Sequence, residues 1–281
     1  MTGSAGSGAV FLLTDYGHAD EFAGIVRAVV ARDAPGAVII DLTHEIPAFD
    51  VRAGALTLVR CIGHLGPGVV VAIVDPGVGT DRRALAVEVE GDAADGDGPR
   101  YLLGPDNGLL PWAVDALGGP RGAVALPSGG TFDGRDVFAP AAAALWRGEP
   151  ARGLGTPFDP GQLIRLADPH LALSDSVIEA EVLWVDRFGN VQLSASAADG
   201  HRAGFERGQW VDVGVGARAS WAPAPFVSSF AALEDTGAAG GEGLGLLVDA
   251  NGHLAVVCAR RSAAAVLGVQ PGGFVTLRRG R

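Results

Sequence analysis

The feature that most constrains this chain is an apolar run over residues 69–74 that ends at Asp75-Pro-Gly-Val-Gly-Thr-Asp-Arg82. Six consecutive apolar residues followed by turn residues suit a strand buried on both faces, as in a parallel sheet covered by helices. Proline and two glycines then force a tight backbone path, framed by Asp75 and Arg82. Open α/β sheets bind ligands at the carboxyl ends of their strands, so this segment predicts a fold class and a place for chemistry together. A second segment of the same character is Thr131-Phe-Asp-Gly-Arg-Asp-Val-Phe-Ala-Pro140.

Around these segments the first half alternates strand and helix patterns. Residues 10–14, 38–42 and 69–74 read as strands, 84–89 as an alternating strand, and 101–104 as a return to the sheet. Residues 20–32 carry Phe22, Ile25, Val26, Val29 and Val30 at helical spacing, and 51–65, 109–117 and the alanine-rich 137–146 also read as helices. Such alternation predicts a mainly parallel sheet with helices on both faces. Residues 91–99 read as an acidic loop, and the Gly- and Pro-rich 147–161 as a linker. Beyond it lie only short strand-like runs, at 177–185, 191–194, 210–215, 244–249, 254–257 and 274–278. The glycine-rich 237–245 reads as a loop between two of them. The expected class is α/β: an N-terminal, mainly parallel α/β sandwich domain over 8–160, then a small antiparallel β-barrel domain over 175–281.

Composition narrows the function. The net charge of −11 argues against nucleic acid as a partner, because phosphate binding needs basic stripes. All 21 basic residues are arginine. Without lysine there is no Schiff-base chemistry and no P-loop. No apolar run approaches the roughly 18–20 residues of a membrane span, and residues 1–8 lack the pattern of a secretory signal and read as a disordered lead-in. A cytoplasmic protein with no membrane partner is expected. Cys61 and Cys258 have no disulfide or zinc spacing, and the six histidines form no His-Glu-x-x-His, so no metal is expected.

Three first-domain loops leave a strand carrying an acid: Asp15, Asp75 and Asp106. Parallel strands bring their carboxyl ends to one edge, where such acids can converge. An aspartate there holds a ribose diol or simply caps a turn or helix. Asp186-Arg-Phe-Gly-Asn190 places a carboxylate and an amide on either side of a turn, which reads as an amino-acid-binding pair or as a plain hairpin.

Taken in order, these motifs resemble the S-adenosyl-L-methionine (SAM) hydroxide adenosyltransferases, relatives of the fluorinase and chlorinase enzymes. The likeness rests on Leu13-Thr-Asp-Tyr-Gly17 with Asp20, Thr43-His-Glu-Ile-Pro47 with Asp50, and Asp75-Pro-Gly-Val-Gly-Thr80 with Arg82. It continues through Gly104-Pro-Asp-Asn-Gly-Leu-Leu110, Thr131-Phe-Asp-Gly-Arg-Asp136 and Asp186-Arg-Phe-Gly-Asn190, so it runs nearly end to end. The resemblance implies an α/β domain followed by a small β-barrel. It implies a homotrimer whose sites lie between one subunit's first domain and its neighbour's second. The implied reaction is hydrolysis of SAM to adenosine and L-methionine by in-line attack of water on the 5′ carbon, with no cofactor.

Residue by residue, the resemblance implies that Asp15 binds the ribose hydroxyls and that Phe49 packs near the sugar and sulfonium. Asp20 and Asp186 would meet the substrate ammonium, Asn190 the adenine or the tail, and Thr131 would line the nucleophile's end. Water-using members carry an Asp-Arg-His set; Asp75 and Arg82 match its first two members, and Asp133 stands where the family has histidine. Halide-using relatives have tyrosine and threonine at the positions of Asp75 and Val78, and serine at Gly134, which favours water here. In the second domain a serine-containing family turn reads Asp249-Ala-Asn-Gly252, and Ala259 replaces an asparagine. Two neighbouring carboxylates repel and one tends to hold a proton, so a slower or more pH-sensitive hydrolase is expected. A SAM- or adenosine-binding protein without catalysis is the alternative reading, and a SAM-dependent halogenase a further one.

Overall fold

The computed structural model describes residues 8–90, 99–216, 221–235 and 243–280. All but Gly8 of the expected lead-in, most of the acidic loop and most of the glycine-rich loop at 237–245 lie outside the described residues. The chain divides into two compact units, Met1–Leu166 and Ala167–Arg281.

In the first unit, β1 (Ala9–Thr14), β2 (Val38–Thr43), β3 (Gly68–Ile73), β4 (Ala84–Val89), β5 (Pro99–Pro105), β6 (Pro120–Leu126) and β7 (Thr156–Phe158) form one sheet in the order β2-β1-β3-β5-β4-β6-β7. The first four strands of that order are parallel, and β4, β6 and β7 are antiparallel to their neighbours. Every residue of β1 and β3 is buried, as their unbroken apolar runs require. The expected alternation in β4 is not observed: all but Glu88 are buried, because β4 lies inside the sheet between β5 and β6.

Helices α1 (Phe22–Asp33) and α4 (Ala139–Trp146) share a core with Val10, Leu12, Val69 and Val71. Helix α2 (Val51–Ile62) packs on α3 (Pro111–Ala116) and on β1. An added Cβ at Gly54 in α2 would lie 2.9 Å from Val74 and 2.8 Å from Leu109, so glycine is what lets this helix close on the sheet. The stretch read as a linker instead carries β7, which pairs with β6.

In the second unit, β8 (Leu171–Ser174), β9 (Val177–Val185), β10 (Val191–Ser196), β11 (Trp210–Gly214), β12 (Ala222–Pro225), β13 (Leu244–Val248), β14 (His253–Cys258) and β15 (Phe274–Arg279) form an antiparallel sheet. Its path runs β12-β11-β15-β9-β10-β14-β13, and a bridge between Phe226 and Leu246 brings its two ends together into a nearly closed barrel. Short helices α5 (Ala197–Arg202), α6 (Phe230–Asp235) and α7 (Ala263–Leu267) interrupt the strands. Among the described residues, no helix is long and apolar enough to cross a membrane.

Candidate active site

The loops that follow β1 and β3 open at the carboxyl edge of the parallel strands, where the sequence places Asp15 and Asp75. With residues 48–49 and the 131–134 segment they line a cleft of about 330 Å³. Six of the expected site residues meet there: Asp15, Asp20, Phe49, Asp75, Thr131 and Asp133.

Two of these acids, Asp75 and Asp133, share one arginine behind the cleft wall. Arg82 donates from Nε to Asp75 Oδ1 at 3.0 Å and from Nη2 to Asp75 Oδ2, and the same Nη2 donates to Asp133 Oδ2 at 2.8 Å. The three side chains are only 7%, 6% and 2% exposed for Arg82, Asp75 and Asp133, so this is a buried network and not a screened surface pair. The geometry follows from topology. Asp75 leaves β3 and Arg82 enters β4, so the loop between them spans the end of β5 and returns within reach of its own start. Thr80 holds that turn by donating to Gly77 O at 2.6 Å and accepting the Arg82 N–H at 3.3 Å.

Asp133 opens a π-helical turn, Gly134–Phe138, that runs into α4. The expected helix from residue 137 thus begins with a wider turn, a distortion often found at functional sites. Phe138, fully buried, carries the Arg82 guanidinium 5.9 Å above its ring. Two buried atoms of the triad have no hydrogen-bond partner among the described residues, the donor Arg82 Nη1 and the acceptor Asp133 Oδ1.

Burial pushes the Asp75 carboxyl above the ordinary carboxylate range; Arg82 opposes that rise and Asp133 adds to it. The Tyr16 phenol is likewise pushed up, chiefly by burial and then by Asp15, Asp75 and Asp133. It therefore stays protonated across the physiological range.

Asp15 Oδ2 accepts the backbone N–H of Phe49 at 2.9 Å. Phe49 has φ +68°, a conformation that costs a non-glycine residue of order 1–3 kcal/mol and that clusters at ligand sites. Asp50 next to it caps α2 by accepting the Ala53 N–H at 2.8 Å. The outcome is a largely exposed phenyl ring standing at the rim of the cleft beside Asp15 and Asp20.

Asp106, grouped with Asp15 and Asp75 from the sequence, does not join them. It is buried, accepts from Arg83 Nε and Nη2 at 2.8 and 2.6 Å, and accepts the Ile164 N–H at 2.9 Å. Its work is to tie the end of β5 to the start of β4 and to the segment after β7. Asp186 and Asn190 belong to the second unit and form a hairpin. Asp186 accepts the N–H groups of Phe188 and Asn190 at 2.9 Å and the Asn190 side-chain amide at 2.7 Å.

Sequence reading did not single out Tyr16, Phe22 or Phe132, which also line the cleft. Their rings contact one another at centroid distances of 5.2–5.9 Å. Phe22 reads as a helix-face residue and Tyr16 and Phe132 as loop residues, so only the fold reveals the three as a wall.

A cleft of this kind, lined by acids at the carboxyl edge of an α/β sheet and backed by carboxylates locked on one guanidinium, defines an enzyme that acts on a small molecule. The chain belongs to the SAM hydroxide adenosyltransferase family: residues 10–155 match its N-terminal domain and 180–276 its C-terminal domain. Among its relatives, the (R)-S-adenosyl-L-methionine hydrolase of Salinispora arenicola (strain CNS-205) is 47% identical over 193 residues, covering 66% of this chain and 71% of that one. The fluorinase of Actinoplanes sp. (strain N902-109) is more distant, 23% identical over 225 residues, covering 71% and 76%. A crystal structure of an uncharacterized conserved protein from Thermotoga maritima has a TM-score of 0.84 at 29% identity, over 96% of this chain and 100% of that one.

Proposed function

We propose that this protein hydrolyses SAM to adenosine and L-methionine, and that the buried Asp75–Arg82–Asp133 triad at the cleft is the observation that carries the reading. The sulfonium is already a good leaving group, so release of methionine needs no acid. What the reaction needs is a water in line with the carbon–sulfur bond. The water oxygen bonds to the 5′ carbon, the carbon–sulfur pair withdraws onto sulfur, and the water's proton passes to Asp75. Alignment of this kind is worth about 7–11 kcal/mol of a barrier. Arg82 holds the Asp75 carboxylate in one orientation through two hydrogen bonds. Asp133 lines the same cleft, and its carboxylate is the acceptor for the water's second proton. As proposed, the step draws on no metal and no cofactor, because the substrate carries its own leaving group.

The remaining roles follow the shape of the cleft. Asp15 takes the ribose hydroxyls, Phe49 covers the sugar and sulfonium, Asp20 meets the ammonium, and Thr131 lines the nucleophile's end. Asp186 and Asn190 act from the second unit of a neighbouring copy, in a homotrimer; sedimentation equilibrium would return three times the chain mass, and a monomeric active species would refute that part. A cytoplasmic location belongs to the same proposal, since SAM is an intracellular metabolite. Halide is disfavoured as nucleophile because an anion would face Asp75 and Asp133 together.

Incubating the protein with SAM and separating the products tests the reading. Adenosine and methionine in equal amounts are expected, with no 5′-halo-adenosine at high chloride or fluoride. The hydrolase relative is named for the (R) sulfonium epimer, and the same preference is expected here when the two epimers are assayed separately. Tight SAM binding by calorimetry without adenosine formation would replace this reading with a non-catalytic one.

A further inference from the structure

A water poised for in-line attack has four directions to satisfy. One lone pair faces the 5′ carbon, and two protons face the acceptors Asp75 and Asp133. The second lone pair requires a donor. Arg82 does not line the cleft: its Nε and Nη2 are spent on the two carboxylates, and its remaining Nη1 is buried out of reach of a water there.

The cleft wall supplies another donor. Tyr16 follows Asp15 at the end of β1, and its ring is fixed edge-on to Phe132 at 5.9 Å and tilted against Phe22 at 5.7 Å. Its backbone N–H is tied to Thr14 Oγ1 at 3.2 Å, and Thr14 Oγ1 is in turn paired with His44 Nδ1 at 2.8 Å. The ring therefore has little freedom to swing. Its hydroxyl has no hydrogen-bond partner among the described residues, yet it shares the cleft with Asp75 and Asp133. A Cβ built on Gly134 would lie 2.4 Å from this oxygen, so the phenol occupies the space that a side chain at position 134 would otherwise enter.

We propose that Tyr16 seats the attacking water by donating its hydroxyl proton to the lone pair turned away from the 5′ carbon, and that Gly134 is glycine so that this hydroxyl can reach the nucleophile subsite. The inference rests on the hydrolase reading above and adds a residue to it. Burial, and then three nearby carboxylates, keep the phenol protonated, so it acts as a donor and does not compete for the water's proton. The carboxylates set where the protons go, and the phenol sets the angle of approach.

The test compares Tyr16→Phe, Gly134→Ser and the double variant with the wild type in SAM hydrolysis, with thermal midpoints measured alongside. Phenylalanine keeps the ring contacts, so Tyr16→Phe is expected to keep the thermal midpoint and the KM for SAM while kcat falls about 10- to 100-fold, the scale of a misplaced reactant. Its pH profile should keep the wild-type limb, because the base is untouched. Gly134→Ser alone should lose both stability and activity from the collision with the phenol. In the double variant the collision is gone and a hydroxyl returns from the other side, so kcat should recover part of the loss caused by Tyr16→Phe. Wild-type kcat in Tyr16→Phe, or a fall in kcat matched by a rise in KM, would overturn the inference while leaving the hydrolase reading intact. A double variant that folds but is no faster than Tyr16→Phe would also overturn it. Absence of adenosine from the wild type would instead remove the hydrolase reading, and this inference with it.

Discussion

Arg82→Leu is expected to destabilise the first unit by about 3–5 kcal/mol, the range for stripping one partner from a buried ion network. Two carboxylates, 6% and 2% exposed, would be left facing each other without a cation. For a domain of this size the thermal midpoint should fall by at least about 6 °C. The sign of the pH dependence follows from Asp75. Its folded-state value is already raised by burial, so its contribution to stability is present below the ordinary carboxylate value and is lost as pH rises through the raised one. Removing Arg82 takes away the opposing pull and widens that window. The variant should therefore be weakest at neutral pH and regain stability on acidification, which thermal melts across pH would show. Arg82→Lys restores the charge without the planar fork and should recover part of the stability. A leucine variant as stable as wild type at neutral pH would remove the triad from the account.

The second large effect falls on Asp75. Asp75→Asn keeps the shape and removes the base, and should lower kcat by about 10²- to 10⁴-fold with little change in KM. In the wild type, kcat/KM should rise with pH as Asp75 ionises, along a limb lying above the ordinary carboxylate range because burial raises that group. Asp133 adds to the rise by like-charge repulsion, so Asp133→His should move the limb to lower pH and raise turnover near neutrality. It also leaves Arg82 to serve Asp75 alone. A limb that does not move, or turnover that drops, would separate Asp133 from the proton-transfer step.

Much of this was legible in the chain because parallel sheets write their position in unbroken apolar runs. Residues 69–74 predict β3, and a buried parallel strand with a turn at its carboxyl end predicts where Asp75 must stand. Two kinds of information were hidden. Strand β6 opens with Pro120, Arg121 and Gly122, and β12 reads Ala-Pro-Ala-Pro; each lacks a strand signature because its neighbours, and not its own propensity, hold it in the sheet. Asp106 shows the other limit: its position beside the glycine turn matches that of Asp15, and only the partner Arg83 reveals a structural tie in place of a ligand contact. Tyr16 stood in the sequence only as part of the turn after β1, since the role proposed for it depends on the missing side chain at Gly134, more than a hundred residues away.

The reversed direction of β4 has a wider consequence. Because Asp75 and Arg82 each abut a buried strand, the salt link between them is fixed by the sheet, while residues 76–81 at the crest of the loop are largely exposed. Mutation at Val78, which lines the cleft, can therefore reshape the crest while Thr80 and the flanking strands keep the ion pair in place. Such a division lets a lineage explore new substrates and nucleophiles over time while its charged anchor stays in place.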